Sequence, residues 1–110
     1  MTTQDRIQNL IDKFHGKMDR DEAARNEVAH LAKTFNIDLG DGGYSLRLAD
    51  ARIVDFKDEV LPAADVTLSV SEADLNALID GTLRPMKAYI TKKIRIDGRL
   101  EDMMFLKKFF

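Results

Sequence analysis

The side chains able to do chemistry are few, and their spacing argues against catalysis. His15 and His30 have no carboxylate or hydroxyl at triad spacing, and neither pairs with a second histidine as metal ligands do. Both read as surface or boundary residues. Asp19, Asp21 and Glu22 crowd one helix start, and Glu101 and Asp102 another, where the macrodipole favours negative charge, so capping accounts for them. Asp38-Leu39-Gly40-Asp41-Gly42-Gly43 has the glycine content of a phosphate loop. It lacks the Lys-Ser/Thr ending and precedes a strand rather than a helix, so it reads as a hairpin turn. Lys92, Lys93 and Arg95, then Lys107 and Lys108, are short basic clusters of the kind usually found on solvated edges, though they could meet phosphate or an anionic head group. With no catalytic set, no metal site and no cofactor motif, the chain reads as a non-enzyme.

The elements around these residues are legible from periodicity. Ile7, Leu10, Ile11 and Phe14 recur at helical spacing behind Thr3 as cap, with Gly16 as the stop. A second, short helix is expected from Asp19, whose carboxylate would accept from the Glu22 amide, with Ala24, Val28 and Leu31 facing inward. From Phe35 the period becomes two. A two-residue Asp41-Gly42 loop places Leu39 opposite Tyr44, Ile37 opposite Leu46 and Phe35 opposite Leu48, leaving Asp38 and Arg47 outside. The third strand, Ile53 to Lys57, turns either Val54 with Phe56 or Ile53 inward; the first choice puts Asp55 and Lys57 in water and is preferred. Val66, Leu68 and Val70 mark a fourth strand, Ile94 and Ile96 a fifth.

Between those two strands, Ser71 caps a helix with Leu75, Leu78 and Ile79 inward and Gly81 at its end. Pro85 opens another, on which Met86, Tyr89 and Ile90 share one side. A last helix begins near Leu100 and is apolar all round: Met103, Met104, Phe105 and Leu106 are consecutive, and Phe109 and Phe110 follow. A helix docked on one side needs only an apolar stripe, so this excess suggests an apolar guest. The fold class is α+β: two layers, a five-stranded mostly antiparallel sheet with the helices on one face.

A chain of 110 residues fits one domain, 1–110. It has no cysteine, which removes disulfides, thiolate nucleophiles and thiolate metal ligands, and the cytoplasm is the expected location. A net charge of −2 with interspersed signs does not favour nucleic acid. The longest apolar runs fall far short of the roughly 20 residues that span a bilayer, and the polar start is no signal peptide.

From Ala64 to Phe110 the chain resembles the C-terminal half of the sterol carrier protein type-2 family. The order that carries the resemblance is Ala64-Asp65-Val66-Thr67-Leu68 as a strand, Ser71 through Ile79 as a capped helix, then Gly81-Thr82-Leu83-Arg84-Pro85 and Ala88-Tyr89. Lys93-Ile94-Arg95-Ile96-Asp97-Gly98 and the apolar terminal helix complete it. Upstream, a helix followed by the Phe35-to-Lys57 strands is similar in layout. Lys92 departs from the family, which often has glycine there, and the ending Phe109-Phe110 is not the peroxisomal Ser-Lys-Leu signal, so peroxisomal import is not expected.

The resemblance implies a hydrophobic tunnel between sheet and helices that holds a sterol, fatty acid, fatty acyl-CoA or phospholipid tail, with no catalytic residues. Carried onto this sequence, Leu78, Met86, Tyr89, Ile90, Met103, Met104 and Leu106 line it, and Phe109 and Phe110 gate it. The expected partner is a long-chain lipid, with transient membrane contact during exchange. A homodimer formed through the apolar terminal helix, with no ligand, is the alternative. An acyl tail of about 16 carbons gains roughly 12 kcal/mol gross on burial, less ordering costs of several kcal/mol. A permanently empty cavity of about 400 Å³ costs on the order of 10 kcal/mol, comparable to a domain's whole stability. An unliganded tunnel therefore has to shrink, wet or close, and flexible methionines suit that repacking.

Overall fold

Thr2 starts the first helix, one residue earlier than the Thr3 cap expected from the pattern. In the computed structural model, which describes residues 1–99, the Thr2 hydroxyl accepts from the Asp5 amide (3.1 Å) and the Asp5 carboxylate accepts from the Thr2 amide (3.2 Å). This reciprocal cap holds two of the amides left open at a helix start, and it pulls the Asp5 carboxyl below its ordinary value. Helix α1 spans Thr3–Arg20 and does not stop at Gly16. An interior glycine costs about 1 kcal/mol relative to alanine, while burying the Met18 side chain beyond it returns about 1.5–3 kcal/mol. Met18 is buried, and the helix continues.

Asp21, not Asp19, caps α2 (Glu22–Val28), accepting from the Ala24 amide at 3.1 Å. Asp19 still lies within α1 and pairs with Arg52 at 2.8 Å. Beside that pair, His15 Nε2 accepts from the Ile53 amide at 2.9 Å, so α1 is pinned to the third strand at its C-terminal half.

Strands β1 (Lys33–Asp38), β2 (Gly43–Ala49), β3 (Arg52–Lys57), β4 (Val66–Val70) and β5 (Ile94–Asp97) form one sheet in the order β3-β2-β1-β4-β5. Only β1 and β4 run parallel; the other three pairings are antiparallel. The β1–β2 register differs from expectation by two residues: Ile37 pairs with Tyr44, Phe35 with Leu46 and Lys33 with Leu48. The loop is thus four residues long, closed by the Leu39 amide on the Gly42 carbonyl (2.8 Å) and by the Gly40 amide on the Asp38 carboxylate (2.9 Å). A shift of two keeps every side chain on its face, so Phe35, Ile37, Leu46 and Leu48 are all buried as expected. Gly43 is obligatory: a Cβ there would run into the Ile37 carbonyl oxygen and the Val60 side chain.

Strand β3 takes the alternative that turns Ile53 inward, and Phe56 turns inward as well. The β2–β3 register slips between Ser45 and Arg47, with Asp55 in the left-handed region at φ 55°. This bulge inserts one residue and changes the phase of the alternation. Ile53 is buried, Val54 is exposed, and beyond the bulge Phe56 turns back inward to lie 5.7 Å from the Tyr44 ring. The preferred Val54-with-Phe56 face is corrected accordingly.

The link from β3 to β4 crosses the outer side of β1, because β4 sits next to β1. There the Asn36 amide group donates to the Leu61 carbonyl (3.0 Å) and accepts from the Leu61 amide (2.8 Å), acting as a short strand partner. Asp65 closes the crossing on Thr34, accepting from its amide (2.9 Å) and hydroxyl (3.2 Å). Helix α3 (Glu72–Asp80) is capped by Ser71 and ended by Gly81 at φ 80°, both as read from the sequence. Helix α4 (Pro85–Ile90) begins with proline at its first turn. One core joins α1, α3 and α4 to the sheet, with Ile7, Leu48, Val66, Leu75 and Ala88 nearly inaccessible.

Candidate functional site

The residues expected to line a lipid site divide between two environments. Leu78, on the inner face of α3, is 2% exposed and belongs to the core shared with Val66, Leu68 and Val70 of β4 and Ile94 of β5. On α4 the residue that enters this core is Ala88, fully buried. Met86, Tyr89 and Ile90 stand at i, i+3 and i+4 and therefore share the face opposite Ala88. Met86 and Tyr89 are each 41% exposed and Ile90 72%. The structure thus brings three of the four described residues together as an apolar face at the edge of the core, with Leu78 inside it. Met103, Met104, Leu106, Phe109 and Phe110 lie outside the described residues.

Local chemistry explains why α4 has this attitude. Pro85 fixes the first turn, and the Thr91 hydroxyl donates to the Lys87 carbonyl (2.7 Å) at the other end. The Lys92 and Lys93 amides then donate to the carbonyls of Tyr89 (3.1 Å) and Ala88 (2.8 Å), which reverses the chain straight into β5. Lys92 adopts φ 62°, a left-handed conformation that glycine would take at less cost. The short helix is held at both ends with Ala88 down, so its large apolar side chains point away from the core.

Among the described residues, two clefts elsewhere carried no sequence signal. One, of about 290 Å³, lies between α1 and α2 against Phe14, Met18, Ala24 and Val28; another, of about 520 Å³, lies between α1 and α3 beside Arg6, Asn9, Lys13 and Asp80. At the second, Arg6 donates to Asn76 (2.6 Å) and pairs with Asp80. Neither touches Leu78 or the α4 face. Clefts between helices depend on how far apart two stripes settle, which periodicity does not encode.

No group of three or more histidine, aspartate or glutamate side chains among the described residues could hold a metal ion. The Ser45 hydroxyl is buried without a hydrogen-bond partner on the outer side of the sheet. Burial raises the Tyr44 phenol above its ordinary value, and its ring packs against Phe56. None of the described helices is long and apolar enough to cross a membrane.

Comparison with known proteins places this arrangement. The family model described as the SCP-2 sterol transfer family matches residues 11–110. No curated protein sequence gives a significant match. Among solved structures, Sterol Carrier Protein 2 Like 2 from Aedes aegypti is similar at 19% identity, over 97% of this chain and 98% of that one, with a TM-score of 0.62. A palmitated form of that mosquito protein is similar at 20% identity, over 93% and 91% of the two chains, with a TM-score of 0.61. A stereoselective inverting sec-alkylsulfatase from Pseudomonas sp. shares the fold over 78% of this chain at 17% identity, with a TM-score of 0.63. The chain spans only 14% of that enzyme's length.

Proposed function

The chain belongs to the SCP-2 sterol transfer family, and from that premise we propose that it binds and hands over one long-chain lipid without transforming it. The cargo is a fatty acid, a fatty acyl-CoA, a phospholipid or a sterol. The observation that carries this reading is the α4 face: Met86, Tyr89 and Ile90 lie in water beside a core that Leu78 reaches. Clustered apolar side chains left exposed are a recognised mark of a binding surface. In the proposed site Leu78 forms the deep end and the three α4 residues form the rim. Met103, Met104, Leu106, Phe109 and Phe110 supply the remaining wall and the gate. A palmitated relative of the same fold supports an acyl tail as the guest. The cysteine-free sequence fits a reducing cytoplasm, where we place the protein.

The reading is tested by thermal unfolding with and without palmitate, palmitoyl-CoA, phospholipid and sterol. A ligand that binds only the folded chain raises the midpoint, by an amount equivalent to about 2.7 kcal/mol at 100 times its Kd. An upward shift with at least one of the four is expected, and no shift with any of them contradicts the proposal. Replacing Met86 and Ile90 together by serine removes exposed apolar contacts, so stability should change little. Affinity for the cargo should fall at least tenfold, since about 1.4 kcal/mol lost per decade is less than two such contacts supply.

A further inference from the structure

Three Asp-Gly pairs stand in this chain, at 41–42, 80–81 and 97–98. In such a pair the glycine amide nitrogen can attack the aspartate's own side-chain carboxyl carbon, because the glycine has no Cβ to obstruct the approach. A C–N bond forms, the carboxyl C–O bond breaks, and the amide hydrogen and carboxyl hydroxyl leave as water, closing a succinimide ring. Water then adds to either imide carbonyl. One addition restores aspartate; the other leaves isoaspartate, with the main chain running through the former side-chain carbonyl. Nothing but water is exchanged, so the local structure decides where the reaction runs.

Two of the pairs are locked. Asp80 ends α3 with its carboxylate paired to Arg6, while the Gly81 amide donates to the Leu78 carbonyl at 3.2 Å. Asp97 lies in β5 opposite Thr67, and its carboxylate pairs with Arg95 at 3.5 Å. At both, attack has to wait for the element to open. Asp41 and Gly42 are exposed in the loop between β1 and β2, outside any helix or strand. Among the described residues nothing takes up the Asp41 carboxylate or the Gly42 amide; the Gly42 carbonyl alone is engaged, by the Leu39 amide at 2.8 Å. A Cβ placed on Gly40 or Gly42 meets no atom within 4 Å, so the loop has room to rearrange.

We propose that Asp41-Gly42 is where the folded chain isomerises, and that the exposed isoaspartate is a substrate for repair by carboxyl methylation. Transfer of a methyl group from a sulfonium donor to the freed α-carboxylate makes an ester, which loses methanol as the succinimide closes again. Isoaspartate adds one main-chain carbon to the loop that sets the Ile37–Tyr44 pairing, next to Gly43, which lies tight against the Ile37 carbonyl.

The test ages the full chain for weeks, folded or in urea, and then cuts it with trypsin, which puts the three pairs on separate peptides, 34–47, 58–87 and 96–99. The isoaspartyl isomer is a species of unchanged mass that accepts a methyl group from S-adenosylmethionine when a protein isoaspartate methyltransferase is added. In the folded chain peptide 34–47 should carry at least about tenfold more isomer than either other peptide, because the locked pairs react only on opening. In urea the three should converge. The aged intact chain should also accept the methyl group, since the loop is exposed. Gly42→Ala introduces no clash and needs no left-handed backbone, so it should fold as the parent does and isomerise several-fold more slowly. No isomer on peptide 34–47 of the folded chain, equal amounts on all three, no methylation of the aged intact chain, or an unslowed Gly42→Ala would overturn the proposal.

Discussion

At Gly43 a single missing Cβ holds the sheet together. The Ile37 carbonyl and the Val60 side chain occupy the space a methyl group would need, and the nearest obstacle is backbone that cannot step aside. Gly43→Ala is expected to destabilise the chain by about 2–3 kcal/mol, read as a lower urea midpoint at unchanged slope. Asp5 acts at the same scale through its charge. Its carboxyl titrates below the ordinary 3.8 because hydrogen bonds with Thr2 favour the ionised form. The contribution of this cap is therefore complete above that ordinary value and is lost as the pH falls through the lower folded-state value. Amides of the first turn of α1 should lose exchange protection over that acid window in the parent chain, and Asp5→Asn should weaken them already at neutral pH.

Elements were legible where one local rule governed them. The Ser71 cap, the Gly81 stop and the Pro85 start stand as read, because each is set by its own backbone conformation. The inward faces of β1, β2 and β4 stand too, since alternation survives a register shift of two. Where two rules competed, the local one failed. Gly16 did not end α1 because tertiary burial of Met18 outweighs a glycine's intrinsic cost. Val54 faces outward because it pairs opposite Arg47, and the bulge at Asp55 then returns Phe56 to the inner face, an inserted phase change that no residue pattern announces. Asn36 is another element-scale device that periodicity did not reveal: it stands mid-strand yet pairs with Leu61 of the crossing loop. Asn36→Ala strands the amide and carbonyl of Leu61, an expected loss of about 1–3 kcal/mol, with faster exchange at Leu61 as the accompanying sign.

On the scale of the whole molecule, a two-layer domain presents one weakly covered corner. The sheet and α1 to α3 close around a buried apolar core, while α4 anchors through Ala88 and turns its larger side chains outward. The fold was readable almost throughout from patterning. Of the candidate site, spacing put Met86, Tyr89 and Ile90 on one face, but which way that face points depends on how Ala88 and the Lys92 turn seat the helix. The chain's membership of the SCP-2 sterol transfer family is the premise on which we propose lipid carriage at this corner. The most direct measurement is native mass spectrometry of the gently purified full chain with added palmitate and palmitoyl-CoA. A one-to-one complex, weakened when Met86 and Ile90 are both serine, is the predicted result. A chain that stays free of lipid at every concentration, or runs only as an unliganded dimer, would contradict the account.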